Sequence, residues 1–210
     1  MRLGTLERIW TYPTKSLRAV AHDSIAIETD GLEGDRRAAF YVATPAHARH
    51  EKTYRGKEDN RLHLLSEPDD ATSAAAERGV EIELRSGERY FDAGRVSLVL
   101  DRWIADVERA LGRELDPLRW RPNLYVRAWE GVALAESELV GALVAAGETL
   151  LRVLRPIQRC ATPTYDIETG RSSPEISRYV AQQRDNLMGV YCEVERTGRV
   201  RTGEVVSRVD

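Results

Sequence analysis

"ELVGALVAAGETLLRVLRP", residues 138–156, is the stretch on which the fold turns. Its apolar residues are so dense that periodicity alone fits either a helix or a pair of strands. Gly141 and Gly147 decide the matter, because glycine punctuates regular structure and Gly147-Glu148 reads as a turn. Two strands result, meeting at that turn.

Working outward, the same logic finds strands on both sides. Towards the N-terminus, "NLYVRAW" at 123–129 is a strand candidate, and Trp103, Ile104, Val107 and Leu111 fall on one face of a helix that Gly112 ends. "VEIEL" alternates strictly and turns at Gly87 into "RYFDA", which predicts a hairpin. "SEPDDATSAAAERG" reads as a helix with Ser66 and Pro68 at its start and Gly79 past its end. "RLHLLS" reads as a short strand, and residues 45–60 as a polar, basic, exposed loop. The first forty residues are β in pattern: Leu3 to Tyr12 stopped by Pro13, "SIAIETDG" turning at Asp30-Gly31, and "RAAFYVAT". Towards the C-terminus, "SSPEISRYVAQQR" carries Ser173, Pro174 and Glu175 at a helix start. "LMGVYCEVERTGRVRTGEVV" reads as a terminal hairpin turned at Thr197-Gly198. Many short strands, about three helices and no regular βαβ alternation predict a mainly antiparallel, barrel-like sheet protein with peripheral helices.

The chain of 210 residues is long enough for a substantial core without crosslinks. With 31 basic against 34 acidic residues its net charge is −3, so no global field favours nucleic acid, and any anion site has to be local. No apolar stretch approaches the length of a membrane-spanning helix. Two cysteines make no disulfide framework, and Met1 to Trp10 lacks a signal-peptide apolar run. A reducing, cytoplasmic setting is the expectation.

The cysteines differ. Cys192 shares a strand face with Val190 and Val194 and reads as a core residue. Cys160 lies in "RPIQRCATPTYDIETG", among Arg155, Arg159, two prolines and Asp166. Cationic neighbours favour the thiolate, the form that attacks electrophiles or binds soft metals, so the residue is an incidental thiol, a nucleophile or a metal ligand. Structural zinc and iron–sulfur sites commonly need four ligands, which two cysteines cannot supply. His22, His47, His50 and His63 are scattered, with His47 and His50 on the loop expected to be exposed. A metal carried mainly by its own organic cofactor would remove the ligand shortage.

Three other stretches hold more polar chemistry than strand ends require. "YPTKSL" offers Lys15 and Ser16. "GLEGDRR" offers two glycines and Arg36, whose guanidinium suits a bidentate grip on phosphate. "RWRPNLYV" adds Arg119, Arg121 and Asn123. Singly, each is an ordinary turn or a solvated arginine. Together they suit an anionic ligand with ring donors and acceptors.

Taken in order, "YPTKSL", "GLEGDRR", "RWRPNLYV", "RCATPTYDIETG" and "MGVYCEVERTGRVRTGEVV" resemble the MOSC family, the domain named from the C-terminal part of molybdenum cofactor sulfurase. The N-terminal β-barrel companion is included, and the architecture is similar to the mitochondrial amidoxime-reducing component and its bacterial relatives. The resemblance implies an antiparallel β-barrel fold with an N-terminal β-barrel region over residues 1–95 and the MOSC domain over 96–210. It also implies a molybdenum cofactor (molybdopterin) with Cys160 as the protein ligand to molybdenum. Lys15, Ser16, Arg36, Arg121 and Asn123 would hold the cofactor, with Ser97 and Arg159 as further contacts. Asp166, in "DIETG", would order the ligand loop or approach the metal. Glu204 stands where the family usually has aspartate, and Pro163 is unusual after the cysteine. No cysteines remain for an iron–sulfur cluster, so electrons would come from a separate electron-donor protein. Pyridoxal phosphate is associated with the wider family's sulfur chemistry, but no lysine here sits where a Schiff base is demanded.

The expected activity is therefore reduction of a small-molecule N-hydroxylated or related N–O or S–O substrate. A carrier that delivers the cofactor or activated sulfur is one rival, and a cysteine-dependent enzyme without molybdenum is another.

Overall fold

A computed structural model describes residues 1–209. In chain order the elements are β1 (Arg2–Thr11), β2 (Val20–His22), β3 (Ser24–Glu28), β4 (Gly31–Leu32), β5 (Ala38–Val42), α1 (Pro68–Ala76), β6 (Ile82–Ser86) and β7 (Val96–Leu100). Then follow α2 (Asp101–Leu111), β8 (Leu124–Ala128), β9 (Leu143–Ala146), β10 (Thr149–Gln158), α3 (Pro174–Gln183), β11 (Leu187–Arg196), β12 (Gly198–Arg201) and β13 (Val205–Val209).

The decisive stretch is indeed two strands. Ala146 and Thr149 pair across Gly147-Glu148, and Val144, Ala146, Leu151 and Val153 point to one side, fully buried. Gly147 has φ +52°, and a Cβ there would meet the Arg199 carbonyl at 2.7 Å, so the turn needs glycine on two grounds. The main sheet runs β13-β9-β10-β11-β7-β8-β1-β2, and pairing of β13 with β1 closes the first seven into a barrel. Closure removes the exposed edges that an open sheet would present. Most neighbours are antiparallel. β7 and β8 are parallel, connected by α2, whose Trp103, Ile104 and Val107 bury one face before Gly112 ends the helix at φ +65°.

The strands of residues 1–95 are spread over three sheets. β1 belongs to the barrel and β2 extends its sheet, β3 and β4 form a sheet with β12 from the far end of the chain, and β5 pairs with β6. A second, smaller core lies under β5, β6 and α1, made by Leu17, Phe40, Val42, Tyr54, Leu62, Ala71, Ala75 and Val80.

Four local expectations are corrected. "RLHLLS" is a 3-10 turn, Asn60–Leu64, because the Asp59 side chain accepts from the Arg61 N–H and Leu62 drops into the smaller core. "RYFDA" does not return along β6. Arg89 is pulled away by Glu28, Asp30 and the carbonyls of Leu32 and Asp35, the Tyr90 N–H donates to Arg36 O, and β6 pairs with β5 instead. The C-terminal hairpin is also absent: β12 leaves β11 at the expected turn but pairs with β3, while β11 lies between β10 and β7. Residues 45–60 are not simply an exposed loop, since Tyr54 and Asp59 are buried within them. Among the described residues no helix is long and apolar enough to cross a membrane.

Candidate functional site

Four chain segments end at the seam between the barrel and the smaller core. Pro13 stops β1 just before Lys15 and Ser16, the turn after β4 carries Arg36, the segment before β8 carries Arg119 and Arg121, and β10 runs out into Arg159 and Cys160. Together with the strap Arg55-Gly56-Lys57 they bound a cavity of about 350 Å³, a size suited to a small ligand. Its lining holds eight basic side chains and one carboxylate, Asp92, although the whole chain is net negative.

Backbone strain concentrates here. Six non-glycine residues have positive φ among the described residues, and Ser16 (+74°), Arg36 (+49°) and Arg121 (+49°) are cavity residues. A left-handed conformation costs an ordinary residue ~1–2 kcal/mol and persists only where neighbours enforce it. The Arg36 N–H donates to Tyr12 O at 2.9 Å, Arg121 N–H to Leu118 O at 3.0 Å, and the Ser16 carbonyl meets His63 Nδ1 at 2.8 Å. Arg36 and Arg121 both stack on the ring of Tyr12, at 4.9 and 4.0 Å from its centroid. Burial drives Arg121 and Arg159 down to about 10; for Arg121 the neighbouring Arg36 adds to the fall.

Of the residues expected from sequence, Lys15, Ser16, Arg36, Ser97, Arg121, Arg159 and Cys160 line this one cavity. Cys160 is exposed, and Cys192 is fully buried in the barrel, where burial pushes its thiol up to about 12. Asn123 and Asp166 are not in the lining. Asn123, 1 % exposed, lies beneath it as a hub: its Nδ2 donates to Trp10 O and Asp35, and its Oδ1 accepts from the N–H and hydroxyl of Ser97. Asp35 in turn accepts from Tyr12 N–H at 2.7 Å and pairs with Arg36. Asp166 accepts from the backbone and hydroxyl of Thr169 and pairs with Arg119 at 2.6 Å, ordering its own loop.

Other contributors escape a reading of the sequence. His63 lies in the lining, held neutral because burial first, and Arg121 second, drive its pKa down to about 3. Asp92 pairs with Lys15 at 2.6 Å. Arg55 and Lys57 come from the loop read as exposed, and Gly56 lies so close over His63 that a Cβ there would meet Nε2 at 2.1 Å. His63 could have been suspected only by its place two residues after Arg61 in a segment anchored by Asp59.

Residues 90–207, more than half of the chain, match the MOSC domain family. This chain belongs to the MOSC family. No curated protein matches it closely. Among solved structures, this MOSC protein is similar to the YuaD protein from Bacillus subtilis, at 16 % identity and a TM-score of 0.58, covering 97 % of this chain and 93 % of that one. It is also similar to YiiM from Escherichia coli, at 14 % identity and a TM-score of 0.52, covering 100 % of this chain and 70 % of that one. At these identities the likeness is one of fold. The matched region contains β7 through β13 almost entire, and with it Ser97, Arg119, Arg121, Arg159 and Cys160.

Proposed function

We propose that this MOSC protein is a molybdenum-cofactor oxidoreductase that reduces N-hydroxylated or related N–O or S–O compounds, with Cys160 as the protein ligand to the metal. The observation that carries the reading is a lone exposed thiol on a cavity lined by eight basic residues. The donor set fits an anionic, metal-chelating pterin. Arg159 Nη2 and Trp120 Nε1, on residues of the lining, are buried without a partner in the protein, which leaves donors for a polar ligand. No cluster of three His, Cys, Asp or Glu side chains occurs among the described residues, so a metal would have to arrive already chelated.

Lys15, Ser16, Arg36 and Arg121 would bind the phosphate and pterin, Arg159 would hold a further edge, and Cys160 would supply a soft thiolate. When bound, the cofactor supplies a redox metal able to take oxygen from the substrate. The net reaction consumes two electrons and two protons and releases the deoxygenated product and water. The protein's part is to fix the cofactor, to keep charge balanced through the Lys15–Asp92 and Arg36–Asp35 pairs, and to leave the mouth open to substrate. Electrons would come from a separate donor protein, because Cys160 and a buried Cys192 cannot hold a cluster.

The test is metal and pterin content of protein from cells that make the cofactor, together with reduction of benzamidoxime by an artificial electron donor. About one molybdenum per chain, lost in Cys160→Ser along with turnover, is expected. Full loading without turnover would point to a carrier, and absence of molybdenum would overturn the reading.

A further inference from the structure

The Cys160 sulfur has a neighbour with no other engagement. Thr162 Oγ1 lies 3.1 Å from Cys160 Sγ, and among the described residues it makes no other hydrogen bond. In a thiol either atom can donate. A thiolate has no hydrogen left, so in the deprotonated or metal-bound state only the hydroxyl can be the donor.

The hydroxyl is held in place from behind. Thr162 opens a 3-10 turn, Thr162–Thr164, in which Pro163 fixes its own φ and Thr164 Oγ1 donates to Ala161 O. The guanidinium of Arg119 reaches the carbonyls of Pro163 and Thr164, each at 3.4 Å, and pairs with Asp166. The turn that presents the hydroxyl is thereby tied to a buried cation.

We infer that Thr162 is a positioning residue for the Cys160 sulfur: its hydroxyl donates to the thiolate, aims it into the cavity and withdraws electron density from it. The consequence for the metal rests on the function proposed above. Donation to a ligating sulfur favours the more electron-rich, reduced metal and raises its reduction potential. Pro163, out of pattern for the family, has a role here in stiffening the turn that carries the donor.

Thr162→Val keeps the shape and removes the hydroxyl, and Thr162→Ser keeps the hydroxyl. Two readouts separate this inference from the cofactor reading. In the protein freed of cofactor, Cys160 is the thiol accessible to iodoacetamide, since Cys192 is buried. With the thiol fully ionised at alkaline pH, a thiolate that has lost a hydrogen-bond donor is the more nucleophilic, so the limiting alkylation rate should rise about twofold in Thr162→Val. Thr162→Ser should stay near wild type. In the loaded protein, a redox titration followed by the Mo(V) electron paramagnetic signal should give a lower midpoint potential for Thr162→Val, restored by serine. Equal alkylation rates in wild type and Thr162→Val, or a serine variant that behaves like valine, would overturn the inference. Protein lacking molybdenum would overturn the cofactor reading, while the alkylation rates still decide on Thr162.

Discussion

Arg119, 6 % exposed, donates to Asp166 Oδ2 at 2.6 Å, and so binds the segment before β8 to the loop that follows Cys160. The two partners are unequal. Without Arg119, Asp166 keeps the Thr169 N–H and hydroxyl and the Glu168 N–H. Without Asp166, Arg119 is left as a buried charge with only two long bonds to carbonyls. Asp166→Ala should therefore cost more stability than Arg119→Met, about 2 kcal/mol against about 1, discounted because Asp166 is partly exposed. Urea midpoints of the two variants check the order.

The same carboxylate gives a pH signature. Hydrogen bonds from Thr169 and Glu168, with Arg119 behind them, hold Asp166 below the usual carboxylate range against a smaller opposing effect of burial. A depressed carboxylate stabilises the fold above its unfolded pKa, and that contribution disappears as the pH falls through the folded value. The stability difference between wild type and Asp166→Ala should be full at neutral pH and shrink below about pH 4, measured as urea midpoints across that range.

His63 predicts acid sensitivity at higher pH. Its pKa is driven down to about 3 by burial and by Arg121, so it is neutral when folded and takes up a proton on unfolding. Stability is complete above the unfolded value near 6.5 and declines as the pH drops towards 3. Between pH 7 and pH 5 the loss attributable to this residue is about 2 kcal/mol. Urea midpoints should fall over that interval in wild type and stay flatter in His63→Gln.

What could be read from the chain was local or written in spaced motifs. Val144, Ala146, Leu151 and Val153 alternate, and the barrel strands follow from such patterns once Gly147 is taken as a turn. Lys15, Arg36, Arg121 and Cys160 each stand at a strand end or turn marked by Pro or Gly, and the cavity gathers them. Pairing partners were not readable, because a strand such as β12 offers the same alternation to β11 as to β3. The choice for β3 rests on contacts with residues more than 170 positions away. His63 was hidden for a related reason: in "RLHLL" it has the spacing of a strand, and only the cap by Asp59 turns the segment so that the ring faces Ser16 and Arg121.

The two cysteines should separate in a thiol assay. Native protein should react with one equivalent of a disulfide reagent at Cys160 and unfolded protein with two, since Cys192 is fully buried. Cys160→Ser should leave stability within about 0.5 kcal/mol of wild type, as expected for an exposed position, whereas Cys192→Ser places a hydroxyl in an apolar core and should cost about 1–3 kcal/mol. Reactivity of both thiols in the native state would contradict the closed barrel.

Gly56 and His63 should be energetically coupled. A methyl group on Gly56 would lie 2.1 Å from His63 Nε2, well inside contact distance, so Gly56→Ala must lift the strap or displace the ring. Gly56 does not have positive φ, which leaves the clash and not the backbone as the cause. Overpacking of this kind costs about 1–3 kcal/mol. His63→Ala removes the obstructing ring and with it the bond to the Ser16 carbonyl, so it destabilises for a different reason. In the double variant the methyl group enters the space left by the imidazole, and the combined loss should be smaller than the sum of the single losses by about 1 kcal/mol or more. A double-mutant cycle by urea unfolding measures this directly. Strict additivity would mean that the strap does not rest on His63, and that Arg55 and Lys57 reach the cavity by some other support.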